Sequence, residues 1–90
     1  MKTVNVLEYE DGEVLSLHSF LLDYNGVKQA KACFLSLCKK HETDRYEELM
    51  EQFAEEERAA KEGVANLWQG DESDFAGGLN IHLVESTINA

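Results

Sequence analysis

Five glutamates in one stretch are the residues of this chain whose type and spacing most readily suggest a chemical role. They are Glu47, Glu48, Glu51, Glu55 and Glu56. Residues three and four apart lie on the same side of a helix, so a helix here would carry rows of carboxylates along its exposed side. Such rows approximate the charge spacing of a phosphate backbone and could occupy a basic groove that otherwise holds nucleic acid. The alternative is an amphipathic helix that uses glutamate only for solubility and helix propensity.

Histidine and cysteine residues offer a second kind of chemistry, but their number and spacing argue against a metal centre. His18 and His82 would share a sheet face if the last strand lay beside the second, where they could ligate zinc or respond to pH. Two ligands are too few for a zinc site, and half-exposed strand histidines are the simpler interpretation. Cys33 and Cys38 are five residues apart on a predicted helix, which separates them by about 140° around its axis. We therefore expect two reduced thiols, buried or half-buried, and no metal.

Sequence motifs typical of enzymes are not found in the chain. The acidic segment 71–74 lacks the alternating oxygen ligands and the closing glutamate of a calcium loop. The chain contains no glycine-rich phosphate loop and no Gly-x-Ser-x-Gly elbow. We therefore expect a non-enzymatic protein without a cofactor.

The charge balance restricts the classes of partner. The 90 residues include 18 acidic and 8 basic side chains, which gives a net charge of −10. Nucleic acids and anionic membranes bind proteins through lysine and arginine, so neither is expected as a direct partner. The sequence contains no long apolar run, and its first residues lack the apolar region of a signal peptide, so we expect neither a membrane span nor a signal peptide. We expect one domain over residues 1–90, located in the cytoplasm.

The first two strands are predicted as a hairpin. Two runs of alternating apolar residues, Val4–Tyr9 and Val14–Phe20, flank Asp11-Gly12, which is a strong signal for a two-residue turn. This turn would place Val6 opposite Leu17, because opposed residues of a hairpin share a face. One face would then collect four apolar side chains, a pattern that specifies a unique register. These are Val4, Val6, Leu15 and Leu17.

Three- and four-residue spacings of apolar side chains predict two helices after the hairpin. The first begins near Gly26 and runs to His41, and the second runs from about Asp44 to about Glu62. Residues 64–68 could add one more helical turn. Residues 69–78 show no periodicity and are expected to form a mobile loop. Residues 79–86 alternate cleanly and are expected to form the third strand.

Together these elements predict an α+β fold with two layers, in the order β-β-α-α-β. A small antiparallel sheet of three strands would be covered on one face by two helices. The opposite face would be only half polar, carrying among others Leu7, Tyr9, His18 and His82. Such a face is either covered by the loop that contains Trp68 and Phe75 or used for self-association, for example in a homodimer.

Several segments resemble a known group of proteins. They are residues 6–9, residues 11–16, residues 18–20, the helix start at Gly26 with Ala30 and Phe34, and residues 81–86. This combination resembles small uncharacterised proteins of bacteriophages and prophages, and it covers the hairpin, the first helix and the last strand. The resemblance implies a viral or mobile-element origin, a bacterial host cytoplasm and a role in binding a host protein.

Two functional hypotheses follow from these observations. In the first, the protein is a binding module whose acidic helical face docks on a basic surface of a host or phage protein, as a nucleic-acid mimic does. In the second, the protein associates with itself through the free sheet face or a strand edge, and its charge serves solubility alone.

Overall fold

A computed structural model of the chain describes residues 2–60, 68, 70–76 and 78–87. Four strands and two helices are present in this part of the chain. In order they are β1 (Lys2–Glu10), β2 (Glu13–Leu21), α1 (Tyr24–Lys40), α2 (Tyr46–Ala59), β3 (Glu72–Ala76) and β4 (Leu79–Thr87). The helical turn expected at residues 64–68 lies outside the described residues except for Trp68.

The fold is α+β, as the sequence predicts, but its antiparallel sheet has four strands instead of three. The strand order is β2-β1-β4-β3, so the last strand lies beside the first and not beside the second. The additional strand, β3, occupies the segment that was expected to be a mobile loop. Three of its five residues, Glu72, Asp74 and Ala76, are of types depleted in strands. The segment is a strand because it pairs antiparallel with β4, where Ser73 lies opposite His82.

The β1–β2 hairpin has the predicted turn but not the predicted register. Asp11 and Gly12 both have positive φ angles, of 51° and 83°, as a type I′ turn requires. Tyr9 lies opposite Val14, but Glu8 lies opposite Ser16, so Leu15 is the extra residue of a β-bulge. Beyond the bulge every pair is shifted by one residue relative to the prediction.

The bulge changes which residues of β2 face the helices. His18 lies opposite Val6 and Phe20 lies opposite Val4, whereas Leu17 lies opposite Leu7. Because opposed residues share a face, Phe20 and not Leu17 contributes to the helix-covered side. The predicted apolar cluster of Val4, Val6, Leu15 and Leu17 is therefore wrong.

A close backbone approach fixes the corner between β2 and α1. The Asp23 side chain caps the helix, accepting a hydrogen bond from the Gly26 amide at 2.6 Å. A Cβ atom on Gly26 would lie 1.9 Å from the Leu21 carbonyl oxygen. Glycine is required here by this contact, and α1 is thereby held against the end of β2.

The core lies between the sheet and the two helices. Val4, Val6, Ile81 and Leu83 of the central strands are fully buried. The helices contribute a second apolar layer, including Val27, Ala30, Phe34, Leu49 and Phe53. The Phe34 and Phe53 rings, one from each helix, pack with their centroids 6.0 Å apart.

The second helix is shorter than predicted. It begins at Tyr46, where the predicted start was Asp44, and Arg45 precedes it without a side-chain capping hydrogen bond. Thr43, two residues before Arg45, is buried. The helix ends at Ala59, three residues before the predicted end.

Candidate functional site

The five glutamates predicted to form an acidic face on α2 are not equally exposed. Glu47, Glu48, Glu51 and Glu55 are all exposed, whereas Leu49 and Phe53 point into the core. We call these four exposed glutamates the acidic face. Glu56, which was expected to belong to it, is only partly exposed and pairs with Lys31 instead. The acidic face therefore contains four of the five predicted residues.

Most cations near α2 pair with acids outside the row formed by Glu47, Glu51 and Glu55. Lys28 contacts Glu57 at 2.8 Å, and Arg45 approaches Glu72 at 3.7 Å. Arg45 also lies 3.9 Å from Glu48, an exposed and therefore weak interaction. Among the described residues, no ion pair involves Glu47, Glu51 or Glu55. The negative charge of this row is thus directed at solvent.

The Lys31–Glu56 pair joins the two helices. The side chains are 7% and 11% exposed, respectively, and the lysine ammonium donates to Oε2 of Glu56. The ammonium also lies 4.8 Å from the centroid of the Phe53 ring, a cation–π geometry. This pair was not predicted, because a lysine and a glutamate 25 residues apart give no local sequence signal.

A buried network also connects the sheet to the end of α1. Glu8, only 4% exposed, accepts hydrogen bonds from His41 Nε2 and, at 3.1 Å, from Ser16 Oγ. A nucleophilic triad needs a histidine between the serine and the acid. Here the carboxylate lies between the other two, so the arrangement lacks the geometry that activates a serine.

Burial by itself would raise the pKa of the Glu8 carboxyl, but the hydrogen bonds from His41 and Ser16 hold it below its ordinary value. A group with a depressed pKa stabilises the fold above its unfolded pKa, and that stability is lost as the pH falls through the folded value. We therefore expect the free energy of unfolding to decrease as the pH falls below the ordinary pKa of a glutamate, and to decrease more steeply in the wild type than in Glu8→Gln. Urea titrations across a pH series measure both slopes.

The exposed neighbour Glu10 provides the control for this prediction. Glu10→Gln should keep the acid sensitivity of the wild type, whereas Glu8→Gln should lose part of it and lose about 1–3 kcal/mol at neutral pH. Parallel pH profiles for the wild type and Glu8→Gln would contradict the role given to this carboxylate.

The sheet face opposite the helices, called here the open face, contains three of the four residues predicted for self-association. Leu7, Tyr9 and His82 line a shallow depression on it, with the Tyr9 and His82 rings edge to face at 5.5 Å. His18 lies opposite Val6 and so belongs to the other side of the sheet. The two histidines therefore do not share a face.

Trp68 does not cover the open face, although a loop containing Trp68 was one of the two alternatives expected for that face. Its indole Nε1 donates to Oε2 of Glu85 at 3.1 Å. Glu85 lies opposite Val4, on the helix side, and Trp68 packs against the buried core.

The two cysteines are free and occupy different environments. Cys38 is fully buried, and burial raises the pKa of its thiol to about 11. Burial also raises the pKa of the Cys33 thiol. Neither thiol has the depressed pKa that a reactive cysteine needs.

Comparison of the chain with models of known protein families, with curated proteins and with solved structures found no match. In the described part of the chain, no helix is long and apolar enough to span a membrane. The same residues contain no group of three or more side chains arranged to hold a metal ion.

Proposed function

We propose that this protein is a non-enzymatic binding module whose acidic face docks on a basic surface of a partner protein. The observation that carries the proposal is the row of Glu47, Glu51 and Glu55, which is exposed and without an ion pair among the described residues. Like charges four residues apart each cost a helix a few tenths of a kcal/mol. The mutual repulsion of these carboxylates is therefore a small cost to the fold, and the binding of a cationic partner would relieve it.

The glutamates of the acidic face differ in their position relative to the helix dipole. Glu47 and Glu48 lie in the first turn of α2, where the helix dipole favours negative charge. Glu51 and Glu55 lie beyond that turn, so the dipole gives them little stabilisation. These two residues are therefore the best positions at which to test the acidic face.

The charge distribution supports a protein partner of the kind that normally binds nucleic acid. Carboxylates along α2 would meet the lysines and arginines that line the nucleic-acid-binding groove of such a partner. Long-range attraction between these charges would accelerate the encounter. The resemblance to phage and prophage proteins supports a host or phage protein in a bacterial cytoplasm as this partner. Binding of this type weakens with salt, because exposed charges are screened within about 8–10 Å at physiological ionic strength.

The experiment compares two double variants with the same change in net charge. Glu51→Lys with Glu55→Lys reverses the acidic face, while Glu10→Lys with Glu13→Lys reverses two exposed acids at the hairpin turn. Each is used as bait in a bacterial lysate at low and high salt, and the affinity of captured proteins is then measured. We expect the first variant to lose about tenfold or more in affinity, which corresponds to about 1.4 kcal/mol.

The hairpin double variant is expected to bind nearly as the wild type does. Equal losses in both variants would show that net charge alone matters, and the acidic face would not be a docking site. Retention of the captured protein at high salt would also contradict the proposal.

A further inference from the structure

The two edges of the sheet are protected to very different degrees. The outer strand β3 is short and acidic, and Arg45 Nη1 covers part of it by donating to the Ser73 carbonyl at 3.1 Å. The other outer strand, β2, is nine residues long. No charged residue occurs between Val14 and Leu22. Natural proteins usually block such an edge with charges, proline or a covering segment.

The hydrogen-bond pattern of the hairpin shows which backbone groups of β2 point away from β1. The Leu22 amide donates to the Lys2 carbonyl at 3.1 Å, and bonded and non-bonded pairs alternate along an antiparallel ladder. Given the register, the amides and carbonyls of Leu17 and Ser19 point outward. The Leu21 carbonyl is already occupied by the Asp23 amide, at 2.9 Å.

The side chains of this edge are also apolar and exposed. Leu17 is 58% and Leu21 51% exposed, and both lie on the open side of the sheet. Val14 and Leu15, next to the bulge, are 55% and 50% exposed. Large apolar side chains on an unpaired strand edge are the features that a pairing strand buries.

We propose that a second copy of this chain pairs its own β2 strand antiparallel with β2, centred on His18. A two-fold axis at His18 would place Leu17 of each copy opposite Ser19 of the other, with four backbone hydrogen bonds between them. The two four-stranded sheets would then form one sheet of eight strands. This inference concerns the sheet edge and goes beyond the docking of the acidic face.

Charge is the reason to assign the edge to a second copy and not to an unrelated strand. The chain carries a net charge of −10, and two copies therefore repel each other at most surfaces. The uncharged segment 14–22 is the one long sheet edge, among the described strands, along which they can approach. An isologous interface needs a patch that complements itself, and a strand with outward groups at Leu17 and Ser19 satisfies this condition in antiparallel pairing.

The test is the mass of the protein in solution by analytical ultracentrifugation over a concentration series. We expect a dimer whose dissociation constant rises about tenfold or more in Leu17→Lys, the loss expected when a large apolar contact becomes a charge. Met50→Lys is the matched control, because Met50 is also exposed, at 43%, but lies on α2. Ser19→Pro removes an outward amide that β1 does not use, and circular dichroism checks that this variant folds.

A cysteine at the axis tests the register directly. Opposed residues of a non-bonded antiparallel pair have Cα atoms about 4.5 Å apart, within the range of a disulfide. In a Cys33→Ser background, His18→Cys should form a covalent dimer on oxidation and Phe20→Cys should not.

Several results would overturn this pairing. One is a wild type that stays monomeric at every concentration. Another is a dimer that Leu17→Lys and Met50→Lys weaken equally, or one that changes at Leu7 disrupt while Leu17→Lys does not. Failure of His18→Cys to cross-link would likewise exclude the register. The dimer should strengthen with salt, whereas docking of the acidic face should weaken, so failure of one proposal can be distinguished from failure of the other.

Discussion

Replacing Phe34 with alanine is expected to lower the free energy of unfolding by about 3–5 kcal/mol. Phe34 is fully buried in α1, and its ring packs against Phe53 of α2. The substitution removes this contact and leaves a cavity between the helices and the sheet. Urea denaturation followed by circular dichroism measures the loss.

An exposed apolar residue provides the control for the Phe34 variant. Met50→Ala, on the outer side of α2, should change the free energy of unfolding by no more than about 0.5 kcal/mol. If Phe34→Ala cost less than about 1 kcal/mol, the inward face assigned to α1 would be wrong.

Replacing Glu56 with alanine is expected to cost about 3–5 kcal/mol, because it removes one partner of a buried ion pair. The ammonium of Lys31 would remain buried between the helices, beside the Phe53 ring. By contrast, the double variant Lys31→Met with Glu56→Leu should recover most of the loss, since apolar residues of similar volume carry no desolvation penalty.

The Lys28–Glu57 pair is the internal comparison for this prediction. Its side chains are 41% and 49% exposed, and exposed ion pairs contribute about 0–1 kcal/mol. Glu57→Ala should therefore have a much smaller effect than Glu56→Ala in the same denaturation experiment. Similar losses in the free energy of unfolding for the two variants would show that burial does not increase the contribution of the Lys31–Glu56 pair to stability.

The sequence predicted the elements that have strong local signals. Alternating apolar residues indicated β1, β2 and β4, and the Asp11-Gly12 turn was identified from its dipeptide. The strand β3 was missed because residues 72–76 contain acids and a serine, and only pairing with β4 makes them a strand. The bulge at Leu15 was missed because apolar residues lie on both faces of β2 with or without it. The hydrophobic pattern alone therefore does not distinguish the two registers.

The acidic face could be predicted because helical spacing is a local property. Glu56 was assigned to it wrongly, because its inward direction depends on Lys31, which lies on another helix. The contact between Glu8 and His41 spans 33 residues and became visible only after α1 was placed on the sheet. Local patterns thus identified the exposed acids of α2, whereas the buried polar pairs required the tertiary structure.

The central position of β1 has a consequence for how the protein is made. Thr3 on β1 and Ser86 on β4 are hydrogen-bonded although they are 83 residues apart. On the ribosome, β1 can pair with β2 early, but a two-stranded ribbon is marginally stable by itself. The nascent chain must therefore carry β1 with one side unpaired until β4 has been synthesised, and chaperones would encounter the protein in that interval.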